Sequence, residues 1–259
     1  MSQNRVAIIT AGASGIGKAI ALRLTQENFD VYVADIAQNA VNDLTNQSPK
    51  ISGMVADLGD ADAAEHVFEN CIARYGRVDC LVNNVGIAGN TARVEDAEPK
   101  DWDRTISVSL SSAFYMTRLC SEQIQKTKGS IINIASNAAL FGFPMRSAYT
   151  AAKWGLIGLT KTWAMEMGPQ GVRVNAICPG SVSGPRIDGV IERDASERGM
   201  TPEAIRQVYA RQSSMRAFVD AEDVANMVAF LTSDAARFVS GQVIAVDGHT
   251  EGLSNWLEP

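Results

Sequence analysis

Residues 6–17 read VAIITAGASGIG, and this stretch decides the fold prediction. Its first part, Val6–Thr10, is an apolar run of the kind that forms a strand buried on both faces of a parallel sheet. The glycines that follow let the backbone turn tightly, and a helical pattern then continues to about Asn28. Amide groups at the N-terminus of such a helix bind negative charge, so the order strand, glycine turn, helix indicates a pyrophosphate-binding site.

Short apolar runs alternate with longer helical patterns along the rest of the chain, without a Pro/Ser-rich linker or an internal repeat. This alternation predicts an α/β fold, a single-domain doubly wound parallel sheet of Rossmann-like type with helices on both faces. Residues 1–259 would then form one dinucleotide-binding and catalytic domain. The further predicted strands are Val31–Asp35, Ile51–Ala56, Val78–Asn83, Ser130–Ala135, Val172–Cys178 and Val243–Val246, and the further predicted helices are Asp60–Tyr75 and Ala148–Gly168.

One long stretch, Ser181–Val219, contains no clear strand although it lies between two core elements. Its residues are charged and helix-prone. It is either a lid over a bound ligand or an embellishment of the surface. We favour a substrate lid at 181–219, because long connections inside a compact domain are usually functional.

The composition excludes several classes of protein. The 259 residues carry a net charge of −6 and the basic residues are scattered, so we expect no nucleic-acid partner. No apolar run is long enough to span a bilayer, and Met1–Arg5 lead straight into the first strand. We therefore expect no membrane partner, no signal peptide and a cytoplasmic protein.

The cysteines and histidines narrow the chemistry further. The four cysteines have no CxxC spacing and sit among apolar neighbours, which predicts buried free thiols in a reducing compartment. With only two histidines in the chain, a His-rich metal site and a Ser/His/Asp triad both lack material, so no metal is predicted. The cysteines are Cys71, Cys80, Cys120 and Cys178.

The residues around the glycine turn favour NAD over NADP. Asp35 ends the second predicted strand, 18 residues after Gly17. A carboxylate there can accept hydrogen bonds from the adenosine ribose hydroxyls and would repel a 2′-phosphate. No arginine flanks Asp35, and Ser14 rather than a basic residue precedes Gly15. We therefore predict NAD, bound in the turn by Thr10, Gly12, Ser14, Gly15, Ile16 and Gly17.

Further candidate cofactor residues follow the third and fourth predicted strands. In an open parallel sheet, ligands bind at the carboxyl ends of the strands, the edge that also carries the glycine turn. These candidates are Asp57, Leu58, Asn84, Val85 and Gly86.

A second group of residues has the spacing of a proton-transfer site. Ser136 closes the fifth predicted strand, Tyr149 follows 13 residues later, and Lys153 lies four residues beyond Tyr149 on the same helical face. A phenol has a pKa of about 10, and a nearby ammonium and the positive nicotinamide of an oxidised cofactor both favour phenolate. Tyr149 could then accept the proton of an alcohol while hydride leaves for the nicotinamide, with Ser136 hydrogen-bonded to the substrate oxygen.

Together these motifs resemble those of the short-chain dehydrogenase/reductase family in its compact, single-domain form. The resemblance runs from Val6 to Gly248 and includes TAGASGIG, NNVG, SAYTAAK, VNAICPG at 174–180 and SGQ leading to VDG at 246–248. It implies that Tyr149 is the general acid/base, that Lys153 also binds the nicotinamide ribose and that Ser136 orients the substrate. It also implies that Asn84 lies near the cofactor and that the nicotinamide site is lined by Pro179, Gly180 and Val182.

The chain departs from the family pattern at two positions. The turn has Ala11 where the family usually has glycine, which restricts the backbone there. The family also usually places an asparagine 27 residues before the catalytic serine, where it helps to hold a water beside the lysine in a proton relay. That position is Ser109 here. Because serine can still hydrogen-bond, we expect Ser109 to act as a fourth catalytic residue in an altered relay.

The resulting prediction is an NAD-dependent oxidoreductase that interconverts a secondary alcohol and a ketone, or a primary alcohol and an aldehyde, on a small polar substrate. One alternative is a carrier-bound 3-oxoacyl reductase, which would favour NADP and a basic docking face. An enoyl reductase is disfavoured because its tyrosine–lysine spacing is usually longer. Another alternative is a non-catalytic nicotinamide-binding regulator, which could lose Tyr149 or Lys153 without penalty.

Two arginines could bind an anionic substrate. Arg146 precedes Tyr149 by three residues, and Arg186 lies where the chain leaves the predicted nicotinamide site. The arginine fork suits a carboxylate, sulfonate or phosphate. The mixed charges of 181–219 are, however, typical of a solvated helix surface, and Arg186 could simply pair with Asp188 or Glu192. On sequence alone, a neutral polyol or cyclic alcohol is the favoured substrate.

The helix predicted from Ala148 is apolar around most of its circumference. One side can pack on the sheet, and a second subunit would cover the other, which predicts a homotetramer or homodimer built on two-fold axes. Tetramers are also common in the family that the chain resembles. The alternative is burial within one chain. The apolar residues are Trp154, Leu156, Ile157, Leu159, Trp163, Met165 and Met167.

Overall fold

The computed structural model describes residues 4–253, which contain a seven-stranded parallel sheet. The strand order is β3-β2-β1-β4-β5-β6-β7, so the winding direction reverses between the neighbouring strands β1 and β4. In chain order the strands are β1 (Arg5–Thr10), β2 (Phe29–Asp35), β3 (Ile51–Val55), β4 (Cys80–Asn83), β5 (Ser130–Ile134), β6 (Arg173–Pro179) and β7 (Val243–Val246).

Helices connect these strands and cover the sheet. Two short segments also matter for the site, a π-helical turn at Ser107–Ser111 and a 3-10 turn at Asn137–Ala139. The helices are α1 (Gly15–Gln26), α2 (Gln38–Gln47), α3 (Ala61–Tyr75), α4 (Pro99–Ile106), α5 (Ser112–Thr127), α6 (Ser147–Met167), α7 (Pro185–Arg198), α8 (Pro202–Arg211) and α9 (Ala221–Thr232).

Both faces of the sheet are buried under helices. In β1, Ala7 and Ile9 belong to the core formed with α1, α2 and α9, whereas Val6 and Ile8 belong to the core formed with α3, α5 and α6. Because successive side chains of a strand point to opposite faces, apolar residues at every position require a helix layer on each side. The predicted doubly wound sheet is therefore confirmed.

The predicted boundaries differ from the observed ones by one or two residues. Helix α1 ends at Gln26, and Asn28, predicted to be helical, has a left-handed φ of 60° that starts the turn into β2. Strand β4 begins at Cys80 rather than Val78, and β6 extends to Pro179. Such shifts are usual because terminal residues lack one side of the hydrogen-bond ladder.

The segment 181–219 consists mainly of α7 and α8, which pack on each other through a small apolar cluster of their own. Its two ends are joined at the carboxyl end of β6. Ser183 N donates to Val219 O at 2.8 Å, and Val219 N donates to Ser181 O at 2.9 Å. The segment is thus a helical hairpin fixed at its base, which is compatible with the predicted lid.

The four cysteines are buried free thiols. Burial raises the pKa of Cys71 and of Cys80 to about 12 and that of Cys178 to about 11. Burial also raises the pKa of Cys120 well above its usual value. These thiols are protonated and hidden, so they serve as small apolar side chains.

Within residues 4–253, none of the helices has both the length and the apolar character needed to cross a membrane. In the same part of the chain, no three His, Cys, Asp or Glu side chains are grouped as metal ligands would be.

Candidate active site

The glycine turn after β1 leaves room for a phosphate beside its backbone. A Cβ added to Gly12 would lie 2.7 Å from Val33 Cγ1, and one added to Gly17 would lie 2.0 Å from Ala11 O, so both positions require glycine. Gly15 has a φ of 49°, and no heavy atom lies within 4 Å of the place its Cβ would take. This open space at the start of α1 fits a pyrophosphate.

Ala11 also has a left-handed backbone, with a φ of 48°. This is where the family pattern usually has glycine, so the alanine adopts the conformation that glycine would. A left-handed residue with a Cβ costs roughly 1–2 kcal/mol. The turn therefore keeps its shape under strain.

Thr10 and Asn84 tie the glycine turn to the end of β4. Thr10 Oγ1 accepts hydrogen bonds from Asn84 N at 2.8 Å and from Val85 N at 2.9 Å. The Asn84 side chain donates to the carbonyls of Thr10 and Ala11, both at 3.0 Å. The side-chain amide of Asn84 is therefore held by the turn, and its hydrogen bonds stabilise the conformation of the turn.

Asp35 lies buried beside the glycine turn. Its Oδ2 accepts from Ala13 N at 3.0 Å and its Oδ1 accepts from Ala37 N at 3.1 Å. Each carboxylate oxygen has a further lone pair, so hydrogen bonds to ribose hydroxyls remain available. The two backbone contacts fix the negative charge at the carboxyl end of β2.

Asp57 and Leu58 follow β3 on the same edge. Asp57 pairs with Arg104 of α4 at 2.6 Å and accepts from Gly59 N at 3.0 Å. Partial burial opposes ionisation of this carboxyl, but the hydrogen bonds from Arg104 and Gly59 outweigh it and lower its pKa. Leu58 is buried. The carboxylate of Asp57 therefore anchors α4, a role that the sequence did not indicate.

Ser136, Tyr149 and Lys153 come together where β5 ends and α6 begins. Ser136 Oγ donates to Asn137 Oδ1 at 3.2 Å and accepts from Ala138 N at 3.1 Å, and its hydroxyl lowers the pKa of Tyr149. Lys153 Nζ lies 5.8 Å from the centre of the Tyr149 ring and donates to Ile134 O at 2.9 Å. An ammonium has three donors, so two remain for the phenol and for a ribose.

The charges around Tyr149 favour its ionisation. Burial opposes loss of the phenolic proton, but the positive charges of Lys153, Arg186 and Arg146 and the hydroxyl of Ser136 outweigh it. The pKa of Tyr149 therefore lies below its ordinary value of 10.0. Burial, reinforced by Arg186, also lowers the pKa of Lys153, although Tyr149 opposes this shift.

Ser109 lies in the π-helical turn between α4 and α5 and is buried. Its Oγ accepts from Ile87 N at 3.1 Å and donates to Ile87 O at 3.3 Å. A Cβ added to Gly86 would lie 3.2 Å from Lys153 Nζ and 3.5 Å from Ser109 Oγ. Lys153 Nζ and Ser109 Oγ thus both border the small space beside Gly86. The proton relay usual in the family would pass through this space.

The strand ends β6 and β7 close the site from the other side. Gly180 N donates to Val246 O at 3.0 Å, and a Cβ added to Gly180 would meet the Cβ of Asp247 at 2.9 Å. Pro179 ends β6, and Val182 forms a parallel bridge with Val219 at the base of the helical hairpin. Pro179, Gly180 and Val182 thus lie at the carboxyl edge of the sheet.

Two polar residues near Ser136 were not predicted. Asn137 Oδ1 accepts from Ser136 Oγ at 3.2 Å, and Asn137 Nδ2 donates to Thr250 Oγ1 at 3.3 Å. Thr250 N is in turn bonded to Asp247 at 3.1 Å. The position of Asn137 directly after Ser136 was an available signal, but its partner lies 113 residues away.

Of the two candidate substrate arginines, Arg146 is the N-cap of α6 and Arg186 lies in the first turn of α7, and the positive charge of each lowers the pKa of Tyr149. Arg146 is buried, whereas Arg186 is exposed at the start of α7. The alternative pairing of Arg186 with Asp188 is wrong, because Asp188 pairs with Arg206 of α8.

Comparison with known proteins gives consistent matches over nearly the whole chain. A family model described as enoyl-(acyl carrier protein) reductase matches residues 10–250. The chain is 35% identical to the 3-oxoacyl-(acyl-carrier-protein) reductase FabG of Thermotoga maritima, over 95% of this chain and 97% of that protein. It is 36% identical to a D-beta-hydroxybutyrate dehydrogenase of Rhizobium meliloti, over 94% and 97%.

Solved structures agree with these matches. An NAD+-bound xylitol dehydrogenase superposes with a TM-score of 0.89 at 28% identity, covering 93% of this chain and 97% of that one. An actinorhodin polyketide ketoreductase with NADPH superposes with a TM-score of 0.90 at 28% identity, covering 98% of both chains. Proteins with either nicotinamide cofactor therefore share this fold.

Proposed function

The chain belongs to the short-chain dehydrogenase/reductase family of oxidoreductases, and from this premise we propose that it interconverts a secondary alcohol and a ketone, or a primary alcohol and an aldehyde, with NAD as cofactor. The substrate is a small polar molecule. One observation carries the proposal. Ser136 and Lys153 lie beside Tyr149, and the pKa of the Tyr149 phenol is lowered.

The chain's own residues supply the proton transfer. When bound, the nicotinamide accepts the hydride of the alcohol or returns it to the ketone. The Tyr149 phenolate takes the alcohol proton, while Ser136 holds the substrate oxygen. Lys153 keeps its positive charge beside the phenol and stabilises the phenolate.

Proton exit would use the space beside Gly86. Lys153 Nζ and Ser109 Oγ flank this space, and Ser109 is fixed by both backbone groups of Ile87. A hydroxyl can donate and accept, so Ser109 can pass a proton or hold a water that does. We assign it the place of the usual asparagine.

The cofactor would lie along the carboxyl edge of the sheet. The open backbone at Gly15 would receive the pyrophosphate, Asp35 the adenosine ribose and Lys153 the nicotinamide ribose. Support for NAD over NADP comes from the buried carboxylate of Asp35, which has no arginine beside it to receive a 2′-phosphate. The hairpin 181–219 would close over the substrate.

The testing experiment is a substrate panel. Alcohols, polyols, hydroxy acids and sulfonates are incubated with the full chain and either NAD or NADP, and the absorbance of the reduced cofactor is followed. Turnover of at least one alcohol with NAD is expected. Absence of turnover with every compound, in a protein that binds NAD, would overturn the proposal.

A second candidate is an NADP-dependent 3-oxoacyl-type reductase, favoured by the 35% identity to the Thermotoga maritima protein. It requires efficient reduction of a 3-oxoacyl thioester with NADPH. The net charge of −6 would repel an acidic carrier protein. Comparing acetoacetyl thioester reduction by NADPH and by NADH decides between the two candidates.

A further inference from the structure

Arg146 is a buried cation with few partners. Only 5% of its surface is exposed, yet its hydrogen bonds are two long ones from Nη1, to Ala88 O at 3.5 Å and Gly89 O at 3.4 Å. Among residues 4–253 no carboxylate lies within 4 Å of its guanidinium. Burial lowers its pKa, as expected for a charge removed from water.

Buried charges without a counter-ion are costly, so proteins keep them where they have a function. A guanidinium has five N–H donors, and the described hydrogen bonds use only Nη1, while the Phe143 ring lies 5.9 Å from Cζ. Arg146 is the N-cap residue of α6, three residues before Tyr149, and the guanidinium and the phenol each shift the pKa of the other.

Two more arginines, Arg186 and Arg193, lie on helix α7, which begins directly after the hairpin base at the end of β6. Arg186 lowers the pKa of both Tyr149 and Lys153, and Arg193 lowers that of Arg146. Neither Arg186 nor Arg193 forms an ion pair with any residue of 4–253. Two acids of the hairpin are paired with other arginines, Asp188 with Arg206 and Asp194 with Arg198.

One acid, Asp194, lies among these cations. Its Oδ1 is paired with Arg198 at 2.6 Å, while its buried Oδ2 has no hydrogen-bond partner. The negative charge of Asp194 raises the pKa of Arg146, but Asp194 forms its ion pair with Arg198 and not with Arg146. The groups facing the phenol are therefore positive in sum, with Lys153 included.

We propose that Arg146 and Arg186 form a binding site for an oxyanion group of the substrate, next to the carbon that reacts at Tyr149. The proposal rests on the function proposed above, and it selects a hydroxy acid or its sulfonate analogue over a neutral polyol. Arg146 holds the group from the first turn of α6, and Arg186 reaches it from the helical hairpin. Binding of the anion would join the hairpin to the catalytic helix.

The test separates binding from turnover by using anions that have no hydroxyl group to oxidise. Propionate, ethanesulfonate and ethyl phosphate are titrated into the full chain with NAD by ligand-detected NMR, with propionamide as the neutral match of propionate. We expect at least one anion to bind about tenfold or more tightly than propionamide, the gain of one charge-assisted hydrogen bond. The preferred anion identifies the head group.

Arg186→Gln should remove most of that preference, and Arg186→Lys should restore only part of it, because lysine keeps the charge without the fork. Arg146→Gln should also remove most of the preference for the anion. Because Arg186 is exposed, the Arg186 variant tests the site even if the Arg146 variant fails to fold. Arg211→Gln, the same charge change at the end of α8, is the matched control and should bind like the wild type.

Failure of all three anions to bind more tightly than propionamide, or an anion preference that survives in Arg186→Gln, would overturn the site. Anion binding that depends on Arg186, in a protein that oxidises no alcohol, would instead keep the anion site and remove the proposed reaction. Once a hydroxylated substrate is known, Arg186→Gln should raise its KM while the KM for NAD stays unchanged.

Discussion

The proposed acid/base group of Tyr149 is its phenolic oxygen, and phenylalanine has the same ring without that oxygen. Tyr149→Phe should lower kcat by about 10² or more, the usual contribution of general acid–base catalysis, while NAD still binds. Tyr115→Phe, a tyrosine of α5 outside the site, is the control and should keep normal turnover. Near-normal kcat in Tyr149→Phe would assign the proton transfer to another group.

The same phenol predicts the pH dependence of alcohol oxidation. Oxidation requires the deprotonated form of Tyr149, so kcat/KM should rise with pH through its pKa, and the lowered pKa places that rise below 10.0. Tyr149→Phe should abolish the rising limb. The limb is measured as kcat/KM against pH with a neutral alcohol.

Asp35 tests the cofactor preference. Asp35→Ser removes the negative charge that would face a 2′-phosphate and the hydrogen bonds to the ribose hydroxyls. The ratio of kcat/KM with NAD to that with NADP should be high in the wild type and fall in the variant. Comparable values for the two cofactors in the wild type would contradict the assignment. A measured melting temperature controls for the loss of the bonds to Ala13 and Ala37.

Several residues could be placed from the sequence because local spacing determines them. Tyr149 and Lys153 share a helical face by their i, i+4 spacing, and Asp35 ends an apolar strand. The burial of Arg146 and the pairing of Asp188 with Arg206 could not be predicted in this way. Both depend on how α7 and α8 pack, and local charge patterns do not specify that.

At the scale of elements, the π-helical turn Ser107–Ser111 aims Ser109 at the space beside Gly86. Such turns insert one residue into a helix and often occur at functional sites. Gly86→Ala would place a methyl group 3.2 Å from Lys153 Nζ and 3.5 Å from Ser109 Oγ. We expect a clear loss of kcat with an unchanged fold, because the contacted atoms are the ends of side chains.

Two further variants complete this test. Ser109→Asn should fold and stay active, since it restores the residue usual in the family. Gly168→Ala, at the end of α6 where nothing lies within 4 Å, is the control for the glycine change and should have normal kcat. Unchanged kcat in Gly86→Ala would show that protons leave Lys153 by another route.

The strands were easier to predict than the helices between them. The central strands β1 and β4 are largely apolar runs because both their faces are covered, whereas α2 and α4 bury few residues and have mixed composition. Residues 181–219 contain no strand signal, because α7 and α8 form their own small core away from the sheet.

At the scale of the whole molecule, helix α6 remains apolar on a side that residues 4–253 do not cover. Leu156, Trp163 and Met167 are buried inside the chain, but Trp154 is 49% exposed and Met165 81%. Phe114 of the neighbouring α5 is also 47% exposed. We predict that a second subunit packs here, giving a dimer or tetramer.

Light scattering at micromolar concentration measures this assembly. The wild type should have the mass of a dimer or tetramer, and Trp154→Glu should shift it toward smaller species. Val94→Glu, an exposed apolar residue outside α5 and α6, is the control and should not change the mass. A monomeric wild type would contradict the prediction.

The rate at which the buried thiols can be alkylated measures opening of the native state. Cys71, Cys80, Cys120 and Cys178 lie in α3, β4, α5 and β6, so together they sample one layer of helices and two strands of the sheet. An alkylating reagent can reach them only when the surrounding structure opens. If this domain opens as one cooperative unit, mass spectrometry should find all four labelled at one common rate, and unequal rates would reveal which half of the sheet separates first.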